Sequence, residues 1–272
     1  MVLAMTTAGR ALITGCSTGI GRATATELAA RGYEVIATAR RPETLSDLKV
    51  ARTLALDVDQ DDSVAAVLAE VGRVDVLVNN AGFGLEGPIE GMPLADVRRV
   101  FETNVFGAVR MIQAFVPAMR EHGSGTIVNV SSVAGVAAAP LSGYYSATKF
   151  ALEAISEALH LEVGHFGVKV VVIQPGSIET RFGDNAVDYR GQPGPYQPLA
   201  ELWESAQGKL GNGQAAPGPE LVASVIADAI ASDTKRLRWP VGSDAELVAS
   251  ARQGASYDDF EAAMRQFLGL DW

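Results

Sequence analysis

The sequence predicts a single doubly wound α/β domain, a seven-stranded parallel sheet with helices on both faces. Three observations lead there. Short apolar runs alternate with helical patterns from residue 10 to residue 241, the pattern of parallel strands joined by right-handed helical crossovers. A glycine-rich turn, Gly15-Cys16-Ser17-Thr18-Gly19-Ile20-Gly21, stands between the first strand and the first helix. No repeat, charge block or linker divides the 272 residues, so residues 1–272 are expected to share one large core.

The elements follow in order. Residues 10–14 (RALIT) read as the first strand, and a helix runs from about Ile20 to Arg31. A glycine turn in this place lets backbone N–H groups and the positive end of a helix approach a pyrophosphate. Gly15, Ser17, Thr18, Gly19, Ile20 and Gly21 are the candidates for that contact; a tight turn without ligand is the plain alternative. The second strand, Glu34–Ala39, is followed by Arg40, Arg41 and Pro42. Nucleotide sites that grip a ribose 2′-OH usually carry an acid at this strand end. Ala39 and Arg40 stand there instead, which favours a 2′-phosphate and hence NADP, with NAD as the alternative. The bland reading makes Arg40 and Arg41 a solvated loop pair.

The third strand, 53–56, ends at Asp57 and Val58. Asp57 either bonds an adenine or caps the helix starting near Asp61. The fourth strand, 74–78, opens into Asn79, Asn80, Ala81 and Gly82, residues small enough for backbone to approach a ligand. A long helix over about 94–122 contains Asn104 among Val100, Phe101, Val105 and Val109. That Asn is either a satisfied core polar group or a member of a proton relay. The fifth strand, 126–131, leads to Ser132, and a helix ending near His165 carries Tyr145 and Lys149. Their i,i+4 spacing puts both on one face, one turn apart.

The sixth strand, 168–173, leads into Gln174-Pro175-Gly176-Ser177-Ile178-Glu179-Thr180. Residues 181–219 are rich in Gly, Pro and aromatics, including Phe182, Tyr189, Tyr196 and Trp203, and read as a substrate lid. A helix over 219–233, a seventh strand over 237–241 and a helical extension over 242–272 complete the chain.

An ordinary phenol titrates near pH 10, and a fixed ammonium beside it favours the phenolate. Tyr145 with Lys149 is therefore the candidate general acid/base for an alcohol or carbonyl, and the Ser132 hydroxyl is the candidate partner of the substrate oxygen. Alone, a Tyr-x-x-x-Lys pair on a helix surface would mean little. Here Gly15, Arg40, Asp57, Asn80, Ser132, Tyr145 and Pro175 all fall at or just after strand ends. Ligands bind at that edge in such sheets, which makes this a Rossmann-type dinucleotide site.

Composition narrows the partners. A net charge of −10 and a pI of about 4.8 disfavour nucleic acid and anionic membranes. No apolar run reaches the roughly 18 residues of a membrane span, and the first ten residues lack a leader pattern. Cys16 is the only cysteine, which precludes an intrachain disulfide and fits a reducing cytoplasm. His122, His160 and His165 are scattered and read as structural or solvated, with no metal cluster.

Read together, Thr14-Gly15-x-x-x-Gly19-Ile20-Gly21, Asn79-Asn80-Ala81-Gly82, Asn104, Ser132, Tyr145-x-x-x-Lys149 and Pro175-Gly176-x-Ile178-x-Thr180 resemble the short-chain dehydrogenase/reductases (SDR). The match covers about residues 10–185. The stretches ALITGCSTGIG, RVDVLVNNAGFGLEGPIE and YYSATKFALEAISEAL look closest to the steroid/retinol dehydrogenase-like branch. The resemblance implies that Tyr145 donates and accepts the proton and Ser132 holds the substrate oxygen. Lys149 lowers the Tyr145 pKa and binds the nicotinamide ribose, and Asn104 holds a relay water. Thr180 and the backbone near Ile178 anchor the carboxamide, with Val58, Ala81, Gly82 and Gly176 as further cofactor contacts. It also implies pairing of the helices at about 94–122 and 143–165 across a two-fold, giving a homodimer or homotetramer.

Phe83, Leu141, Gly143 and Phe182, with Ser132 and the lid, are expected to form the substrate pocket; their character favours a hydrophobic ketone or secondary alcohol. Two other readings compete. A non-catalytic NADP-binding sensor has no need of Asn104, Ser132, Tyr145 and Lys149 together. An acyl-carrier-protein 3-oxoacyl reductase needs a basic docking patch, for which this chain offers only scattered arginines such as Arg98 and Arg99.

Overall fold

The computed structural model describes residues 8–191, 194–210 and 215–270. The expectations for the first seven residues, for 192–193 and 211–214 in the lid, and for the last two residues of the extension lie outside the described residues.

Along the chain the strands are β1 (Arg10–Ile13), β2 (Glu34–Ala39), β3 (Arg52–Ala55), β4 (Val76–Asn79), β5 (Leu85–Glu86), β6 (Gly125–Val130), β7 (Val168–Pro175), β8 (Val187–Asp188) and β9 (Arg238–Val241). The helices are α1 (Gly19–Ala30), α2 (Asp61–Val71), α3 (Leu94–Phe101), α4 (Ala108–His122), α5 (Gly143–Val163), α6 (Phe182–Asn185), α7 (Gln197–Leu210), α8 (Pro219–Ala231), α9 (Ser243–Arg252) and α10 (Tyr257–Leu268). Seven strands form one parallel sheet in the order β3-β2-β1-β4-β6-β7-β9. The chain winds outward from β1 to β3, then returns to β4 on the other side of β1. That reversal opens a crevice at the carboxyl ends of β1 and β4.

Strand alternation fills two cores. Ile13, Val35, Val128 and Val171 pack on one face with Leu28 of α1 and Ile226 of α8. Leu12, Ile36, Leu77 and Ile127 face the other way, toward Val67 of α2, Phe115 and Met119 of α4, and Leu159 of α5. Both faces of the sheet are thus dry, which is why its strands read as continuous apolar runs.

Two elements differ from the sequence expectation. The helix expected over about 94–122 is interrupted by a wider π-type stretch, Glu102–Gly107. Asn104 lies in it and spends its amide outside the helix: Oδ1 accepts the Phe83 N–H at 3.0 Å, and Nδ2 donates to the Phe83 carbonyl at 2.9 Å and to Thr148 Oγ1 at 3.2 Å. The segment 181–219 is largely folded rather than loop. β8 pairs with β5 in a two-stranded parallel ribbon, and α7 buries Trp203 and Ala206 against Ala139, Met264 and Leu270. The apolar stripe of α7 is short and sits among Gly and Pro, so its periodicity is hard to see in the sequence. Among the described residues no helix is long and apolar enough to cross a membrane, and no three His, Cys, Asp or Glu side chains are grouped to hold a metal.

Candidate active site

The glycine turn after β1 is shaped by what cannot fit in it. Gly15 and Gly19 hold positive φ (+73° and +57°), which side chains disfavour. A Cβ on Gly15 would lie 2.9 Å from Ala81 Cα, and one on Gly21 would collide with the Gly15 carbonyl and with Asn80. Asn80 braces the turn from β4: Nδ2 donates to the Thr14 and Gly15 carbonyls at 2.9 and 3.1 Å. Thr14 Oγ1 in turn accepts the N–H groups of Asn80 and Ala81 at 3.0 and 2.9 Å. α1 starts at Gly19 without a side-chain cap, leaving its first N–H groups to a ligand. These features fit a dinucleotide pyrophosphate.

A cleft of about 700 Å³ begins here and runs along the sheet edge. At one end, Ala39 is buried and small, and exposed Arg40 lines the cleft. Arg40 makes no ion pair among the described residues; its charge is felt by Asp59, whose carboxyl burial pushes up and Arg40 draws down. Arg41 does not line the cleft. Asp57 lines it, and its Oδ1 accepts the Asp59 N–H at 3.2 Å. It therefore ties the turn before α2, whose own cap position is Gln60.

At the other end lie Ser132, Tyr145 and Lys149. Lys149 Nζ donates to the Val130 carbonyl at 2.9 Å and sits 5.6 Å from the centre of the Tyr145 ring. Burial pushes the Lys149 ammonium down to about 8, against the attraction of Glu153. Burial also pushes the Tyr145 phenol up to about 12; a hydrogen bond from Ser132 opposes the rise and the Glu86 carboxylate adds to it. The phenol thus lies above its ordinary value where a lowering was expected, because burial outweighs the Ser132 hydrogen bond. Ser132 Oγ also accepts the Ala134 N–H at 3.1 Å and points to the Pro175 carbonyl at 3.5 Å.

Gly15, Ser17, Thr18, Gly19, Ile20, Arg40, Asp57, Val58, Asn80, Ala81, Gly82, Pro175, Gly176, Ile178 and Thr180 all line this one cleft, as do Phe83 and Phe182. Four candidates do not. Gly21 packs behind the turn. Asn104 is buried and bonded to Phe83, so its side chain shapes the wall instead of facing the opening. Leu141 is buried with a left-handed φ of +60°, and its carbonyl accepts the Gly87 N–H at 2.7 Å. A Cβ on Gly143 would lie 2.7 Å from Ile89. Leu141 and Gly143 lead into α5 and are turned toward the β5 side by that packing.

Sequence reasoning missed Asp59, Glu86, Arg99, Thr103 and Ser177, all of which line the cleft. Glu86 pairs with Arg190 at 2.6 Å, and Thr103 Oγ1 donates to Asp59 at 2.8 Å. The Arg99 guanidinium lies 5.3 Å from the Phe83 ring centre. Only the position of Ser177 inside the Pro175–Thr180 run gave a sequence signal; the others arrive through folding.

An open parallel sheet with a glycine-walled helix start, and a Ser-Tyr-Lys set along the same edge, defines a Rossmann-type oxidoreductase. Residues 10–190 match the family model of the short chain dehydrogenases. The chain is 37% identical over 237 residues to the uncharacterized oxidoreductase YbbO of Escherichia coli, covering 85% of this chain and 84% of that one. It is 38% identical over 248 residues to retinol dehydrogenase 8 of Bos taurus, covering 84% and 79%. Among solved structures, a short-chain dehydrogenase from Streptomyces avermitilis superposes with a TM-score of 0.79 at 36% identity, covering 98% of this chain and all of that one. A metagenomic short-chain oxidoreductase solved in complex with NADP superposes at 0.67 and 28% identity, covering 87% and 96%. The chain belongs to the short-chain dehydrogenase family.

Proposed function

We propose that this protein is an NADP(H)-dependent oxidoreductase acting on a hydrophobic ketone or secondary alcohol. One observation carries the reading: a single cleft has a glycine-walled helix start and the exposed Arg40 at one end and Ser132, Tyr145 and Lys149 at the other. The NADP complex of a related structure and the retinol dehydrogenase relative support it.

Bound nicotinamide supplies or accepts the hydride. The chain supplies the rest. Arg40 offers a guanidinium suited to a 2′-phosphate. Ser132 holds the substrate oxygen, and Tyr145, protonated at neutral pH with its phenol at about 12, gives that oxygen its proton in the reducing direction. The Lys149 charge favours the phenolate this leaves. Phe83 and Phe182 supply apolar walls, with the Phe182 ring 5.8 Å from that of Tyr145. Arg99 is held by Asp96 at 3.4 Å and covers Phe83, which supports a small-molecule substrate over docking of an acidic carrier protein. The helical faces bearing Phe106, Phe150 and Leu161, all exposed, support a dimer at least; a monomeric mass by light scattering at micromolar concentration would refute that part.

An NADPH-depletion screen over steroid, aromatic and aliphatic ketones tests the whole. Consumption with a hydrophobic ketone, lost in Tyr145→Phe, is the expected result. NADPH binding with no turnover across the panel would favour a sensor instead.

A further inference from the structure

The C-terminal extension reaches back to the cleft through one buried acid. Asp244 lies in the first turn of α9 and is 7% exposed. Its Oδ2 accepts the Ser177 N–H at 2.6 Å, across 67 residues of chain, and its Oδ1 accepts the Ala245 N–H at 2.9 Å. It makes no ion pair among the described residues. A buried carboxylate is costly without compensation; here two backbone N–H groups and the positive start of α9 compensate it.

The neighbours have no side chains where the carboxylate sits. A Cβ on Gly176 would overlap both Asp244 oxygens, and one on Gly242, whose φ is +101°, would lie 2.9 Å from Oδ1. A second tie runs alongside: the Gly176 N–H donates to the Val241 carbonyl at 2.9 Å. The segment held this way, Pro175–Ile178, lines the catalytic end of the cleft, and the Pro175 carbonyl faces the Ser132 hydroxyl.

We propose that Asp244 is a positioning residue, which clamps the Pro175–Ile178 segment in the shape that completes the catalytic end of the cofactor cleft. The proposal rests on the cleft being the NADP(H) site. It explains why Gly176 has no side chain: the space is taken by the clamp. Asp244 touches no reacting atom; it acts through the backbone of Ser177 and through Pro175.

The test uses the full chain and two readouts. Fluorescence titration of NADPH should show binding weakened about tenfold in Asp244→Ala, the lower end of what one charge-assisted hydrogen bond contributes. Asp244→Asn, which keeps one acceptor, should fall between. Gly176→Ala should weaken binding at least as much. The double variant Gly176→Ala/Asp244→Ala should bind no worse than Gly176→Ala alone, because the collision is gone; independent sites would multiply their losses. The ratio of NADPH to NADH affinity should not change, since Arg40 is at the far end.

The second readout is amide exchange at Ser177, followed by NMR in the ligand-free protein. It should be slow in the natural chain and clearly faster in Asp244→Ala. Natural-chain exchange as fast as an open loop would overturn the proposal, even if Asp244→Ala fails to fold. Unchanged NADPH affinity in Asp244→Ala, or multiplied losses in the double variant, would overturn it too. A natural chain that binds no NADPH refutes the functional reading instead, while Ser177 exchange still judges the clamp.

Discussion

Two cations stand at the two ends of the same cleft, and they are held in opposite ways. Arg40 is exposed and without an ion pair among the described residues, and it lines the cleft with a planar fork of N–H donors. Lys149 is buried against the Val130 carbonyl, and burial has moved it down to about 8. One end therefore offers an exposed guanidinium for binding. The other holds groups whose protonation depends on their surroundings. Residue type suits each cation to its role, and burial sets the protonation of Lys149.

The sharpest way to break the comparison is at the proton-handling end. Tyr145→Phe is expected to lower kcat at least about a hundredfold, the lower range of general acid/base catalysis, with NADPH affinity largely kept. Near-normal turnover would remove Tyr145 from the chemistry.

At the binding end, Arg40→Ala is expected to weaken NADPH by roughly ten- to a hundredfold, the span of one charge-assisted hydrogen bond of about 1.5–3 kcal/mol. NADH should be little affected, and Ala39→Asp should reverse the preference. Comparing kcat/KM for both cofactors in the three proteins decides it. Equal use of the two by the natural chain would show that the exposed cation does no selecting.

Gly21→Ala separates the wall of the cleft from its ends. Its Cβ would meet the Gly15 carbonyl and Asn80, and overpacking of this kind costs typically 1–3 kcal/mol. Tm and NADPH affinity should fall together, with the NADPH to NADH ratio unchanged. An unaltered Tm would mean the turn has room that the structure does not show.

The pH dependence of stability concerns Lys149. Its folded pKa of about 8 lies below its ordinary 10.5, so between those values the unfolded chain binds more protons and stability rises with pH. The cost of burying the ammonium is fully present below about pH 8 and is relieved by about 10.5. Lys149→Met, which never has that cost, should gain in Tm over the natural chain at pH 7 and lose much of that advantage by pH 10. Tyr145 shifts the other way, its stabilising contribution being lost only between 10 and about 12, and it is common to both proteins. A Tm difference constant from pH 7 to 10 would mean that Lys149 is not strained by burial.

Much of the fold was legible because its signals are local. The run RALIT followed by Gly15, Gly19 and Gly21 encodes strand, turn and helix within a dozen residues, and the apolar stretch VKVVVI can hardly be anything but a buried strand. The small Ala39 next to Arg40 is readable for the same reason, since strand end and side chain are adjacent in sequence. Leu141 and Gly143 do not line the cleft, and apolar character in the sequence carries no information about direction. The Leu141 carbonyl accepts the Gly87 N–H, and the backbone of Gly143 packs close against Ile89.

What the sequence determined by itself is the parallel sheet and the identity of the groups placed at its strand ends. These follow from periods of two and of 3.6 residues and from glycines that permit close backbone approach. The tertiary structure decided the state of those groups. The phenol of Tyr145 is raised because its burial, reinforced by the Glu86 carboxylate, outweighs the hydrogen bond from Ser132. Asn104 faces Phe83 because the helix widens around it. The segment after β7 is held by an acid 67 residues further on. Desolvation, and hydrogen bonds between distant residues, come into being only when the chain has closed on itself, so no local pattern could have announced them.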